Sequence, residues 1–158
     1  LQLHIKDYDS CKKDGIDPNK GLLLTGPVGC GKTSRMRLLK FLEPYQKPYS
    51  VIPSRNIVFG FNHIGFKVIE DYGNGHYFCF DDLGVEPTGR HYGKDCNVMG
   101  EILISRYELF VNRQIKTHCT TNLNAKELEE SYDKRVRSRI RQMFNLVAFE
   151  KDSKDKRK

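Results

Sequence analysis

Short uninterrupted apolar runs alternate along the chain with longer segments whose apolar residues recur every third or fourth position. Gly21–Thr25 (Gly-Leu-Leu-Leu-Thr) has the continuous pattern of a strand buried on both faces. Residues 31–42 place Met36, Leu38, Leu39 and Leu42 along a helix, which Pro44 and Pro48 end. Residues 49–52 read as a second strand, stopped by Pro53. Ser54 opens a helical stretch to about Tyr72, with Ile57, Phe61, Ile64 and Val68 near the 3.6-residue period and Gly60 and Gly65 interrupting it. Gly73-Asn74-Gly75 turns the chain into a third strand at residues 76–80, which ends in Asp81-Asp82. Residues 84–96, with Gly84, Pro87, Gly89 and Gly93, read as a loop. Residues 97–112 form a helix with Ile102, Leu103, Tyr107 and Phe110 on one broad face, and residues 115–120 a strand. Asn124 and Asp133 then stand as N-caps, of a short acidic helix and of a basic one that runs through Met143. Residues 146–149 are the last strand.

Strands alternating with helices predict an α/β fold, a parallel sheet with helices on both faces. Ligands on such sheets bind beyond the carboxyl ends of the strands, so the residues there carry the functional argument. A length of 158 residues predicts one domain, a core over residues 1–150 followed by a charged tail at 151–158. A chain that opens on Leu1 is expected to be a domain of a longer protein, with a partner-binding module on its N-terminal side. Hydrophobic residues make up 38% and charged residues 30%, polar for a globular domain but outside the disordered range. No apolar run is long enough to span a membrane and no signal-peptide pattern opens the chain, which argues against a membrane or secreted protein. The five cysteines are odd in number and lack CxxC spacing, as expected for a reducing cytoplasm rather than a disulfide framework or a zinc site. Cys79 and Cys119 sit in apolar runs and are expected in the core.

The charge is uneven. Residues 134–158 hold ten Lys and Arg against three Asp and Glu, while the rest of the chain holds 17 of each, so the whole net charge of +7 lies in the last 25 residues. A basic terminus on a neutral body points to a polyanion, most simply nucleic acid.

The sharpest motif is Gly26-Pro27-Val28-Gly29-Cys30-Gly31-Lys32-Thr33, a full GxxxxGK[ST] between a strand and a helix, with Ser34 next in the helix. Its glycines let several backbone N–H groups face one anion, and the helix adds the positive end of its dipole. Lys32 can reach the β- and γ-phosphates of a nucleotide, and the Thr33 hydroxyl can ligate magnesium. Asp81, at the end of an apolar strand, suits the carboxylate that magnesium needs nearby, and Asp82 is then placed to polarise the attacking water. Glu86 is the local alternative for that base. No NKxD-like segment follows, which favours ATP over GTP. The strand at 115–120 runs into Thr121-Asn122, and an amide at Asn122 can report whether the γ-phosphate is present. Arg135, Arg137, Arg139 and Arg141 alternate along one helix, and at least one could reach a neighbouring subunit's ATP.

Taken in order, Gly26–Thr33, then Phe80-Asp81-Asp82-Leu83-Gly84, then Thr120-Thr121-Asn122-Leu123, then residues 132–139 (Tyr-Asp-Lys-Arg-Val-Arg-Ser-Arg) resemble the DnaC-type helicase loaders and IstB-like transposition helpers, AAA+ P-loop NTPases of the initiator clade. The resemblance runs from about Lys20 to Phe149. It implies a five-stranded parallel sheet in the order 5-1-4-3-2, and an ATP-dependent spiral or ring of subunits that holds single-stranded DNA. Carried over by position, Asn122 is the first sensor and Arg139 the arginine finger, with Arg135 as runner-up. Arg157 is a loose match for the family's C-terminal sensor arginine, and no helical lid domain follows the last strand. The expected function is an ATPase acting on DNA, slow and stimulated by assembly or DNA, whose partner is a replicative helicase or a transposase. A small-molecule P-loop kinase and an ATP-bound switch with little turnover are the competing readings.

Overall fold

The computed structural model describes residues 15–42 and 48–149. Five strands form one sheet: β1 (Gly21–Thr25), β2 (Ser50–Pro53), β3 (Phe78–Asp81), β6 (His118–Thr121) and β7 (Phe144–Ala148). Between β3 and β6, β4 (Gly89–His91) and β5 (Lys94–Cys96) make a separate antiparallel hairpin. The sheet order is β2-β3-β6-β1-β7, and every pairing in it is parallel. Counted over the sheet's own strands and read from β7, that is the expected 5-1-4-3-2; the two hairpin strands shift only the labels. The helices are α1 (Lys32–Leu42), α2 (Ser54–Ile64), α3 (Lys67–Tyr72), α4 (Val98–Arg113), α5 (Ala125–Glu130) and α6 (Lys134–Met143).

Alternation along the strands divides the core. Leu23, Phe80, Cys119 and Phe144 face a large cluster built by α2 to α6, including Phe61, Met99, Ile102, Leu103 and Ile140. Leu22, Leu24 and Cys79 face the opposite side, with Met36 and Leu39 of α1 and with Tyr49. Each fully buried Leu, Ile or Phe contributes about 1.5–3 kcal/mol of transfer free energy, so the five-helix face carries most of the hydrophobic stabilisation. Gly21 opens β1 where a Cβ would lie 1.7 Å from the Thr117 carbonyl oxygen, a close approach that only glycine permits.

Several boundaries differ from the sequence reading. Residues 84–96 are not all loop. Tyr92 and Gly93, both at positive φ (50° and 76°), make the tight turn of the β4–β5 hairpin. The hairpin leans on α2, where Asn62 Oδ1 accepts from Arg90 N at 2.7 Å. The helical stretch from Ser54 breaks at Gly65, whose φ of 83° ends α2 before α3 begins. Pro53 does not stop β2 but is its last residue, tolerated because β2 is an edge strand. The last strand starts earlier than expected, because Phe144 and Asn145 are buried beside β1. Leu38 and Ile64, expected on buried helix faces, are 63% and 59% exposed. The expected caps at Asn124 and Asp133 form, the first as a reciprocal capping box with Glu127, and Asn97, read as the first helical residue, is instead the N-cap of α4. Pro44, the basic tail at 151–158 and Arg157 lie outside the described residues. Among the described residues no helix is long and apolar enough to cross a membrane.

Candidate nucleotide site

Three neighbouring strands deliver the site. β1 ends at Thr25 and passes into the Gly26–Gly31 loop, β3 ends on Asp81, and β6 ends on Thr121, just before Asn122. A cleft of about 400 Å³ opens at these strand ends, lined by loop residues Val28, Gly29 and Gly31, by Lys32, Thr33 and Ser34 of α1, and by Asp81, Asp82 and Asn122. Gly26 and Pro27 do not line it, and Cys30 is buried. Gly29 and Gly31 adopt positive φ (84° and 87°), which lets the loop curl. In Gly26, at φ 153°, a Cβ would meet Phe149 Cβ at 2.9 Å.

Lys32 is 5% exposed. Its Nζ donates to the carbonyls of Gly26 (2.7 Å) and Pro27 (2.9 Å) and lies 3.5 Å from Cys30 Sγ. No carboxylate pairs with it among the described residues. A buried ammonium whose hydrogen-bond partners are all neutral suits the binding of an anion. Asp81 is also buried, and its Oδ1 accepts from Thr33 Oγ1 at 2.8 Å and from Thr120 Oγ1 at 2.5 Å. Its hard oxygen, beside a hydroxyl whose lone pairs remain for a cation, fits magnesium shared with a phosphate. Asp82 turns at φ 54° into the mouth of the cleft.

Glu86 does not line the cleft. Its two oxygens accept from Gly84 N and from Tyr132 Oη, each at 2.7 Å, so it braces the loop after β3 against the segment leading into α6. Burial above all, then the Glu86 charge, pushes the Tyr132 hydroxyl well above its ordinary range. Burial likewise raises the Cys79 and Cys119 thiols, which are core groups as expected and not nucleophiles. Arg139 stands apart from the cleft of its own chain: its guanidinium lies 4.4 Å over the Tyr107 ring on α4, and its buried Nε has no partner. Arg135 pairs with Glu101 at 3.3 Å, and Arg141 with Glu129 at 2.6 Å.

Two features escaped the sequence reading. Thr120 touches both acidic residues of the site (the side chain of Asp81 and the backbone N of Asp82), and nothing in the run His118-Cys119-Thr120-Thr121 distinguishes it from any other strand residue. Arg106 is completely buried, held by Thr117 Oγ1 (2.8 Å) and the Asn74 carbonyl (2.5 Å) over the Phe78 ring, with burial pushing its guanidinium down to about 10. Its place in the run Ile104-Ser105-Arg106-Tyr107 gives no hint of burial, because an arginine there reads as solvated.

No protein-family model matches the sequence, and no curated protein matches it. Solved structures do. The DnaC helicase loader superposes with a TM-score of 0.61 at 20% identity, covering 84% of this chain and 79% of the other. DnaI gives 0.64 at 20% identity, over 94% and 85%. The replication initiator DnaA bound to AMPPCP and single-stranded DNA gives 0.57 at 17% identity, over 87% and 42%. At these identities the likeness establishes the fold alone: a five-stranded parallel sheet with helices on both faces.

Proposed function

On a fold shared with a helicase loader and a replication initiator, we propose that this chain binds and hydrolyses Mg-ATP in the cytoplasm and acts on DNA as a DnaC-like helicase loader or replication accessory. The observation that carries the reading is the convergence of a buried Lys32 hydrogen-bonded only to neutral groups, a Thr33–Asp81 pair, Asp82 and Asn122 on one cleft. Loop N–H groups and Lys32 bind the phosphates, Thr33 and Asp81 hold magnesium, Asp82 polarises the water, and Asn122 senses the γ-phosphate. Bound magnesium supplies charge neutralisation of the phosphoryl oxygens. Arg139, remote from its own cleft, serves the ATP of a second copy, which makes the active form a homo-oligomer.

Single-stranded DNA binds through cations and exposed rings. The basic tail at 151–158 supplies charge. Tyr92, at the hairpin tip, is 93% exposed, Phe66 is 65% exposed, and Arg90 and Lys94 flank the tip. Such rings offer bases a stacking face while cations take the phosphates. The solved neighbours are replication proteins, which favours a replicative helicase over a transposase as partner and disfavours the kinase reading.

The test is calorimetric titration with Mg-ATP beside a phosphate-release assay. Lys32→Ala is expected to lose ATP binding with its circular dichroism unchanged. Asp82→Asn is expected to keep binding and lose hydrolysis by on the order of 100-fold. Unchanged ATP affinity in Lys32→Ala overturns the nucleotide site. Capture of a transposase rather than a helicase by the full-length protein overturns the loader assignment.

A further inference from the structure

Thr120 lies on β6, one strand over from β3, and is fully buried. Its Oγ1 is 2.5 Å from Asp81 Oδ1 and 3.1 Å from the backbone N of Asp82. The proton directions follow from the groups. A peptide N–H only donates and an ionised carboxylate only accepts, so the hydroxyl accepts from Asp82 and donates to Asp81. A hydroxyl used in both senses polarises along the chain of bonds, and its bond to a charged oxygen is of the stronger, charge-assisted kind. The carbonyl of Thr120 also accepts from Leu83 N at 2.8 Å. One residue therefore holds three successive positions, 81, 82 and 83.

Asp82 is a non-glycine residue at φ 54°. Such a conformation costs on the order of 1–3 kcal/mol and persists only where the surroundings fix it. The fixings here include the Asp82 N–H to Thr120 Oγ1 and the Leu83 N–H to Thr120 O. The turn has a consequence for reach. Asp is one methylene shorter than Glu, so the position of the Asp82 carboxylate depends closely on how its backbone is aimed. Thr121, next on the strand, faces the other way and donates to the Leu83 carbonyl at 2.6 Å, bracketing the same turn.

We propose that Thr120 is a positioning residue for ATP hydrolysis: its single hydroxyl fixes both the Asp81 carboxylate and the backbone turn that aims Asp82 into the cleft. The proposal rests on the ATPase reading above. Thr120→Val keeps the branched shape and removes the hydroxyl, and Thr120→Ser keeps the hydroxyl. ATP binding is measured by calorimetry with magnesium and with EDTA, and turnover at saturating ATP. Thr120→Val is expected to bind ATP in EDTA like the wild type, to lose most of the affinity gained with magnesium, and to turn over about 10²-fold more slowly with little change in KM. Thr120→Ser is expected to recover both. A Thr120→Val protein with the full magnesium gain and kcat within about threefold of wild type overturns the proposal. So does a Thr120→Ser protein as impaired as Thr120→Val, which would assign the effect to methyl packing. If Thr120→Val does not fold, Thr120→Ala against Thr120→Ser makes the same comparison. A wild-type protein that hydrolyses no ATP under any condition overturns the ATPase reading instead, and the magnesium dependence of binding then decides Thr120 alone.

Discussion

Tyr132 and Glu86 show how a polar pair can hold a site without entering it. Tyr132 is 5% exposed and donates to a carboxylate whose other oxygen is bound to Gly84 N. Tyr132→Phe leaves Glu86 Oε1 without its donor, and at neutral pH the loss should be about 1–3 kcal/mol of stability. The sign with pH follows from the raised hydroxyl. Above the ordinary tyrosine value of 10 the unfolded chain loses this proton while the folded chain keeps it, so the folded state binds more protons and stability falls as pH rises. Phenylalanine has no such proton. Urea unfolding of both proteins from pH 7 to 11 is expected to show the wild-type advantage shrinking above pH 10; a constant difference would contradict the burial of that hydroxyl.

At the scale of elements, α6 separates the arginines that the sequence presents as a row. Residues two apart on a helix point to nearly opposite sides, and residues four apart share a face. Arg135 and Arg139 accordingly meet Glu101 and Tyr107 of α4, while Arg141 reaches Glu129 of α5. The β4–β5 hairpin is the other element with its own role. It is pinned by Asn62 and by His91, whose ring packs at 6.1 Å from Phe61, so its tip projects from a fixed base. Tyr92→Ala is expected to weaken binding of a fluorescent single-stranded oligonucleotide by on the order of tenfold, since one base–ring stack contributes about 1–3 kcal/mol. ATP binding should not change. Equal DNA affinity in variant and wild type would remove the hairpin from the DNA surface.

For the whole molecule, the proposed function makes activity a property of assembly, because Arg139 does not line its own cleft and would serve the ATP of a second copy. Hydrolysis per protomer is expected to rise with protein concentration. An arginine supplied in trans contributes roughly 10³-fold or more in rate, so Arg139→Ala should bind ATP normally and hydrolyse it poorly at every concentration. Mixing Arg139→Ala with Lys32→Ala should restore part of the activity, because one supplies the intact cleft and the other the arginine. Concentration-independent turnover with no rescue on mixing would show a self-contained monomer.

The sequence determined what local chemistry can encode. Gly26–Thr33 between a strand and a helix, two carboxylates closing an apolar strand, and caps at Asn124 and Asp133 all act through residues close in the chain, and the apolar runs follow from burial on both faces of a parallel sheet. Much of the alternating α/β order, though not its boundaries, was therefore legible. The tertiary structure decided what depends on pairs distant in sequence. Thr120 meets Asp81 across 39 residues, Tyr132 meets Glu86 across 46, and Arg106 is buried because Thr117 and Asn74 surround it. The hairpin at Tyr92-Gly93 was missed because its short strands carry Arg90, His91, Lys94 and Asp95 instead of alternating apolar residues. In each case the partner that gives a side chain its role is brought to it by the sheet order, a relation that no stretch of local sequence contains.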